Sequence, residues 1–219
     1  MRRESGQATP LYIAAVTGLL FVALIYLAFG EADIQRNGAQ SAADAAALAA
    51  AKESRGLLAP DLEAHLTDPD YLDSVFNAAF VGVSGDACGK ASDFAARNKA
   101  SGVRCRPLAD GRWGYKVSLR SDKGMSTNVI PGTGGKKATA VAVAVVEPRC
   151  TFIPDPDSQP DEDPSPSPSP SPDPDAPDTP DKPIGKVRCD GGLEWGIDPE
   201  GTEPMPDMAD FFSVHLAEN

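Results

Sequence analysis

Residues 11–29, LYIAAVTGLLFVALIYLAF, run nineteen positions without a charge. As a helix rising 1.5 Å per residue, this stretch is about 28 Å long, close to the roughly 30 Å hydrocarbon core of a bilayer. One membrane span is the expectation. A cleaved secretory signal competes with it, but such a signal has an apolar region of about 7–15 residues before its small-residue site. Here the run is longer, helix-favouring sequence follows it, and Ala28-Phe29-Gly30 is only a passable site. Arg2-Arg3 lacks the surroundings of a twin-arginine signal, and no cysteine follows the run to accept a lipid. Arg2 and Arg3 precede the span, while Glu31 and Asp33 follow it with Arg36 alone nearby. This balance predicts a single-pass protein of the cell membrane, with residues 1–10 cytoplasmic and the C-terminal side extracellular.

Pro10 suits the first turn of a helix, where its missing N–H has no intrahelical partner. Beyond the span, residues 31–54 (EADIQRNGAQSAADAAALAAAKES) are dominated by alanine, the best helix former. The span and the alanine-rich extension, residues 30–56, therefore read as one rod of about 45 residues and roughly 65 Å. Gly56 and Pro60 are expected to end it. Its outer half has few large apolar groups and needs a partner for stability. Two sets of residues offer close helix packing: Ala14 and Gly18 inside the span, and Gln40, Ala43, Asp44 and Ala47 in the extension.

Gly6-Gln7 before the span, the Arg36 and Gln40 spacing and the block Ala42-Ala43-Asp44-Ala45-Ala46-Ala47-Leu48-Ala49 carry a resemblance. Residues 5–51 resemble the N-terminal segment of TadE/TadG-like proteins of Tad (Flp) pilus assembly, the TadG-related branch more than TadE. The remainder resembles the outer parts of actinobacterial TadG-related proteins more loosely. The resemblance implies a bitopic membrane protein of a pilus or secretion machine, without catalytic activity. Its implied partners are other Tad/Flp pilus-assembly proteins, or a second copy met through the N-terminal helix. Prepilin-like precursors are cut after a glycine and carry glutamate at the fifth mature position. Counting from a cut between Gly6 and Gln7, that position is Leu11, a departure that sets this chain apart from processed pilins.

Downstream, the chain reads as a small α+β domain over residues 57–153. Leu62, Leu66, Leu72, Val75, Phe76 and Phe80 recur at helical intervals, with Pro69 dividing the run into two short helices. A further helix over residues 87–101 would present Phe94 and Ala95. WGYKVSLR (residues 113–120) and ATAVAVAVV (residues 138–146) read as strands, with Asp110-Gly111 as a hairpin turn. Four cysteines suit an exported domain. Of three possible connectivities, Cys88 with Cys105 and Cys150 with Cys189 close the most local loops, each stabilising by about 3–4 kcal/mol on a chain-entropy model.

Charge separates the rest of the chain from this domain. Residues 1–153 hold 17 Lys+Arg against 15 Asp+Glu, whereas residues 154–219 hold 3 against 17. Residues 154–183 contain 12 prolines and 9 acidic residues, a composition that cannot bury a core and predicts an extended, disordered loop. The acidic segment 184–219 carries Trp195, Phe211, Phe212, Val214 and Leu216, and either docks as a short strand and helix or stays free.

Little here supports chemistry. Two histidines, His65 and His215, and cysteines without a C-x-x-C pair provide no typical zinc site, and no cofactor is expected. His65 has no partner motif. Gly82-Val83-Ser84-Gly85 misplaces the first glycine of a nucleophile elbow, and GTGGKK at residues 132–137 lacks the spacing of a phosphate loop. Asp163-Pro164-Ser165-Pro166-Ser167 matches a D-x-S-x-S metal motif only because a Ser-Pro repeat produces it. An acidic exported region disfavours nucleic acid. Arg104, Arg106, Arg112, Lys116 and Arg120 are candidates for a basic strand face that offsets the acidic tail or meets anionic cell-wall polymer. The reading is a scaffolding membrane protein, with a surface protein that binds cell-wall or extracellular ligands as the alternative.

Overall fold

The computed structural model describes residues 8–126, 132, 134–156, 183–198 and 204–217. The Pro/Ser-rich repeat and Gly6-Gln7 lie outside these residues. The fold is α+β. It starts with α1 (Ala8–Ala64), 57 residues of unbroken helix. Gly56 and Pro60 do not end it, although an interior proline costs about 3 kcal/mol. Leu58 and Leu62, on either side of Pro60, are fully buried, and this packing carries the helix past the break.

The chain then turns into α2 (Pro69–Phe76), whose first helical residue is Pro69 and whose N-cap is Asp68. The Asp68 carboxylate accepts from the Asp70 and Tyr71 amides. The expected helix before Pro69 is the last turn of α1. Asp86 caps α3 (Ala87–Arg97), which ends before Ser101. It buries Ala87, Ala91 and Ala95, while Phe94 stays exposed with the Arg97 guanidinium 5.5 Å from its ring.

Three strands follow: β1 (Ala100–Pro107), β2 (Gly114–Gly124) and β3 (Lys137–Pro148). They form an antiparallel sheet with β7 (Phe212–Leu216) in the order β1-β2-β3-β7. A smaller antiparallel sheet contains β4 (Cys150–Pro154), β5 (Gly185–Cys189) and β6 (Glu194–Ile197). The disulfides are Cys88–Cys105, joining α3 to β1, and Cys150–Cys189, joining directly opposed residues of β4 and β5. The segment between Pro156 and Pro183 thus leaves and re-enters one antiparallel strand pair.

The acidic C-terminal segment docks. A single helical turn, α4 (Met208–Phe211), leads into β7, and Phe211 and Phe212 are completely buried. They join Phe76, Trp113 and Trp195 in an aromatic cluster with centroid separations of 5.4–5.6 Å. The cluster lies beside the outer part of α1, whose Arg55 guanidinium donates to the Phe212 carbonyl at 3.0 Å, while α2 meets the smaller sheet at β4.

Candidate assembly helix and the surfaces it leaves open

Only the outer half of α1 belongs to the core. Ala39, Ala42, Ala43, Ala46, Ala47, Ala50, Ser54, Leu58 and Leu62 are buried at helical intervals. They pack against α3, through its buried Ala87, Ala91 and Ala95, and against the sheet residues Tyr115, Val117, Leu119, Ala140, Ala142 and Ala144, which the β2–β3 register places on one side. In β3 the alanine parity therefore turns inward, while Val141, Val143 and Val145 occupy the other face. Small residues on both sides let the helix lie close to the strand, which larger β-branched side chains would prevent.

This packing locates the extension candidates. Ala43 and Ala47, expected to meet another helix, are fully buried within the chain's own fold, where α1 is covered by helix α3 and by the sheet. That small-residue face is consumed within the molecule. Gln40 and Asp44 work as a pair at the sheet edge. The Gln40 amide donates to the Asp44 carboxylate at 2.8 Å and to the Val141 carbonyl at 3.2 Å, just beyond where β7 pairing stops. Farther along, the Trp113 indole N–H donates to the buried Ser54 hydroxyl at 2.8 Å. Neither contact has a local sequence signature, because their partners are 101 and 59 positions apart.

The inner half is the opposite. Leu11, Tyr12, Leu19, Phe21, Val22, Tyr26, Leu27 and Phe29 are each 58% exposed or more. The helix contains an 18-residue window of mean hydropathy 2.4, none of it buried, long and apolar enough to cross a membrane. Ala14 is exposed, and nothing lies within 4 Å of where a Gly18 side chain would begin. Of the six packing candidates, these two remain free on an open face.

The other candidates disperse. His65 Nδ1 lies 2.7 Å from the Asp61 carbonyl, and its ring stacks on Tyr71. Tyr71 donates to the Asp61 carboxylate, and burial followed by that contact pushes its phenol well above the ordinary tyrosine range. Ser84 is exposed. Arg104, Arg106, Lys116 and Arg120 share the valine side of the sheet through the pairs Arg104↔Ser118, Arg106↔Lys116 and Arg120↔Thr139. Arg112 is not part of this face: it lies before β2 and binds Asp110 at 2.7 Å, holding that carboxyl below its usual range. Arg188 does the same to Glu194 across β5 and β6.

No curated protein and no solved structure matches the chain. Residues 6–53, about a fifth of the sequence, cover the exposed apolar half of α1 and most of its alanine seam. This stretch matches the Tad family model, described as putative Flp pilus-assembly TadE/G-like.

Proposed function

We propose that the protein is a single-pass membrane component of a Tad/Flp-type pilus assembly or secretion system, with a structural rather than catalytic role. The observation that carries this reading is the division of α1. One rigid helix has an apolar half that touches nothing in its own fold and a second half locked into a disulfide-linked domain. Such a helix holds a folded domain at a fixed height above the bilayer. Association with other pilus-assembly proteins, or with a second copy, then falls to the Ala14 and Gly18 face. A small-x-x-x-small pair of this kind allows close helix approach in lipid. In this reading residues 1–10 are cytoplasmic and the domain is extracellular.

The test is co-purification of the full chain from native membranes after Ala14→Leu/Gly18→Leu substitution. Partners should be lost while membrane insertion and both disulfides persist. Unchanged co-purification would refute association through this face.

A second reading rests on where the Pro/Ser-rich segment is rooted. Of its flanking strands, β4 packs against α2, beyond the outer end of α1, where the side chain of Asn77, the α2 C-cap, bonds the Phe152 backbone at 3.0 and 3.1 Å. A chain held there is mounted away from the span, as suits a surface protein that engages cell-wall or extracellular ligands. Loss of ligand binding on deletion of residues 157–182, with pilus assembly intact, would favour this alternative.

A further inference from the structure

The domain has a basic end, and α1 fixes which way it points. At the outer end of the helix Ser54 meets Trp113, immediately before β2. At the other end Gln35 and Ala39 line a groove with Lys99, Ser121 and Lys123, at the close of β2. Strand β2 therefore runs back toward the apolar half of α1. The β2–β3 hairpin continues in that direction, with the Met125 amide donating to the Lys136 carbonyl at 3.0 Å and the Gly135 amide to that of Met125 at 2.9 Å. With the hydrocarbon boundary at Phe29, Gln35 and Ala39 stand about 9 and 15 Å above it along the helix. Headgroups fill roughly the first 5–7 Å of that space. A lysine side chain is several ångströms long, so a lysine at this level is within reach of the headgroup layer if it extends toward the bilayer.

The charges at this end are mostly of one sign. Arg97, Lys99, Lys123, Lys136 and Lys137 are exposed, and none forms an ion pair among the described residues. The acidic residues of this end are Glu31 and Asp33 on α1, Asp93 on α3 and Asp122 on β2, whose amide donates to the Lys99 carbonyl at 2.8 Å; with Arg36 added to the five cations the balance is still basic. Lys99 adds an independent observation. It follows the α3 C-cap Asn98 and has φ +56°, a left-handed conformation usually given to glycine at this position. A lysine is held there against backbone preference, at the edge of the membrane-facing end.

We propose that this end of the domain, centred on Lys99, Lys123 and Lys136, docks on anionic lipid headgroups. This would clamp the domain upright on the bilayer beside its own span. The inference rests on residues 11–29 crossing the membrane. It names the bilayer surface itself as a partner of the folded domain.

The experiment uses the full chain reconstituted into nanodiscs of phosphatidylcholine, with or without phosphatidylglycerol. Acylation rates of individual lysines are read by mass spectrometry. Phosphatidylglycerol should slow labelling of Lys99, Lys123 and Lys136 by roughly threefold or more relative to Lys90 and Lys186, and high salt should remove the difference. Lys99→Gly should weaken the protection of Lys123 and Lys136 while leaving thermal stability equal or higher, since glycine relieves the left-handed backbone. Identical rates in the two disc types would overturn docking, as would equal slowing at Lys90 and Lys186. Inorganic phosphate reproducing the protection on phosphatidylcholine discs would assign the site to a free anion and overturn the lipid proposal. If carbonate-washed discs retain no protein, the membrane span fails and docking falls with it. Retention without selective protection overturns docking alone.

Discussion

The two halves of α1 share one backbone and opposite side-chain logic. The inner half presents leucine, phenylalanine and tyrosine and contacts nothing in the fold, while the outer half presents mainly alanine and is the central element of the core. Large apolar groups normally mark a core, and here the relation is inverted. Lipid accepts bulky side chains at any angle without complementarity. A protein seam between a helix and a strand must be matched in shape, and alanine opposite alanine achieves the closest match. Residue size along this helix thus reports the kind of partner more than the depth of burial.

The sharpest way to break that contrast is to make the same substitution in both halves. Leu58→Ala removes a fully buried side chain beside Pro60 and should destabilise the domain by about 2–5 kcal/mol. Leu19→Ala, at a position 71% exposed, should leave domain unfolding unchanged and weaken only retention in lipid. Denaturant unfolding of the full chain in mild detergent, followed by Trp113 and Trp195 fluorescence, measures the first effect. Equal effects at the two positions would mean that the inner half also packs into the domain.

Enlarging a residue gives a smaller contrast. Ala47→Leu adds volume to the alanine seam and should cost about 1–3 kcal/mol, whereas Ala14→Leu should alter partner association without changing the unfolding midpoint. A neutral Ala47→Leu would show that the seam has slack, and the argument from close approach would fail.

Much of this architecture could be read from local signals. The nineteen-residue uncharged run, the alanine block and the parity of ATAVAVAVV each stand in a contiguous stretch, and all three correspond to real elements. The parity did not reveal which side faced inward, because β-branched and small side chains can each form the buried layer. That choice depends on how close the helix lies, a tertiary property. Nor could the end of α1 be placed from Gly56 and Pro60, since the burial of Leu58 and Leu62 overrides a local stop. The alanine block did not reveal that α3 and the sheet of the same chain cover it, because intermolecular and intramolecular small-residue faces look alike in sequence. The basic end was hidden for another reason: Lys99 follows α3, while Lys123 at the end of β2 and Lys136 in the β2–β3 hairpin come more than twenty positions later, and they share one end of the domain only because β2 runs back along α1.

The smallest predicted effect concerns the last turn of α1, where the core half gives way to α2. Tyr71 donates its hydroxyl proton to the Asp61 carboxylate and is partly buried, so the folded state holds that proton more tightly than the unfolded chain does. A group whose folded pKa lies above its unfolded value contributes stability that is complete below the unfolded value and lost as pH rises past it. For a tyrosine this places the loss above about pH 10. Thermal unfolding should therefore show a decline in midpoint through that range, shallower in Tyr71→Phe than in the parent chain. A slope unchanged by Tyr71→Phe would mean that the phenol holds its proton no more tightly in the folded chain than in the unfolded one. The Tyr71–Asp61 contact between α2 and the last turn of α1 would then contribute nothing to stability.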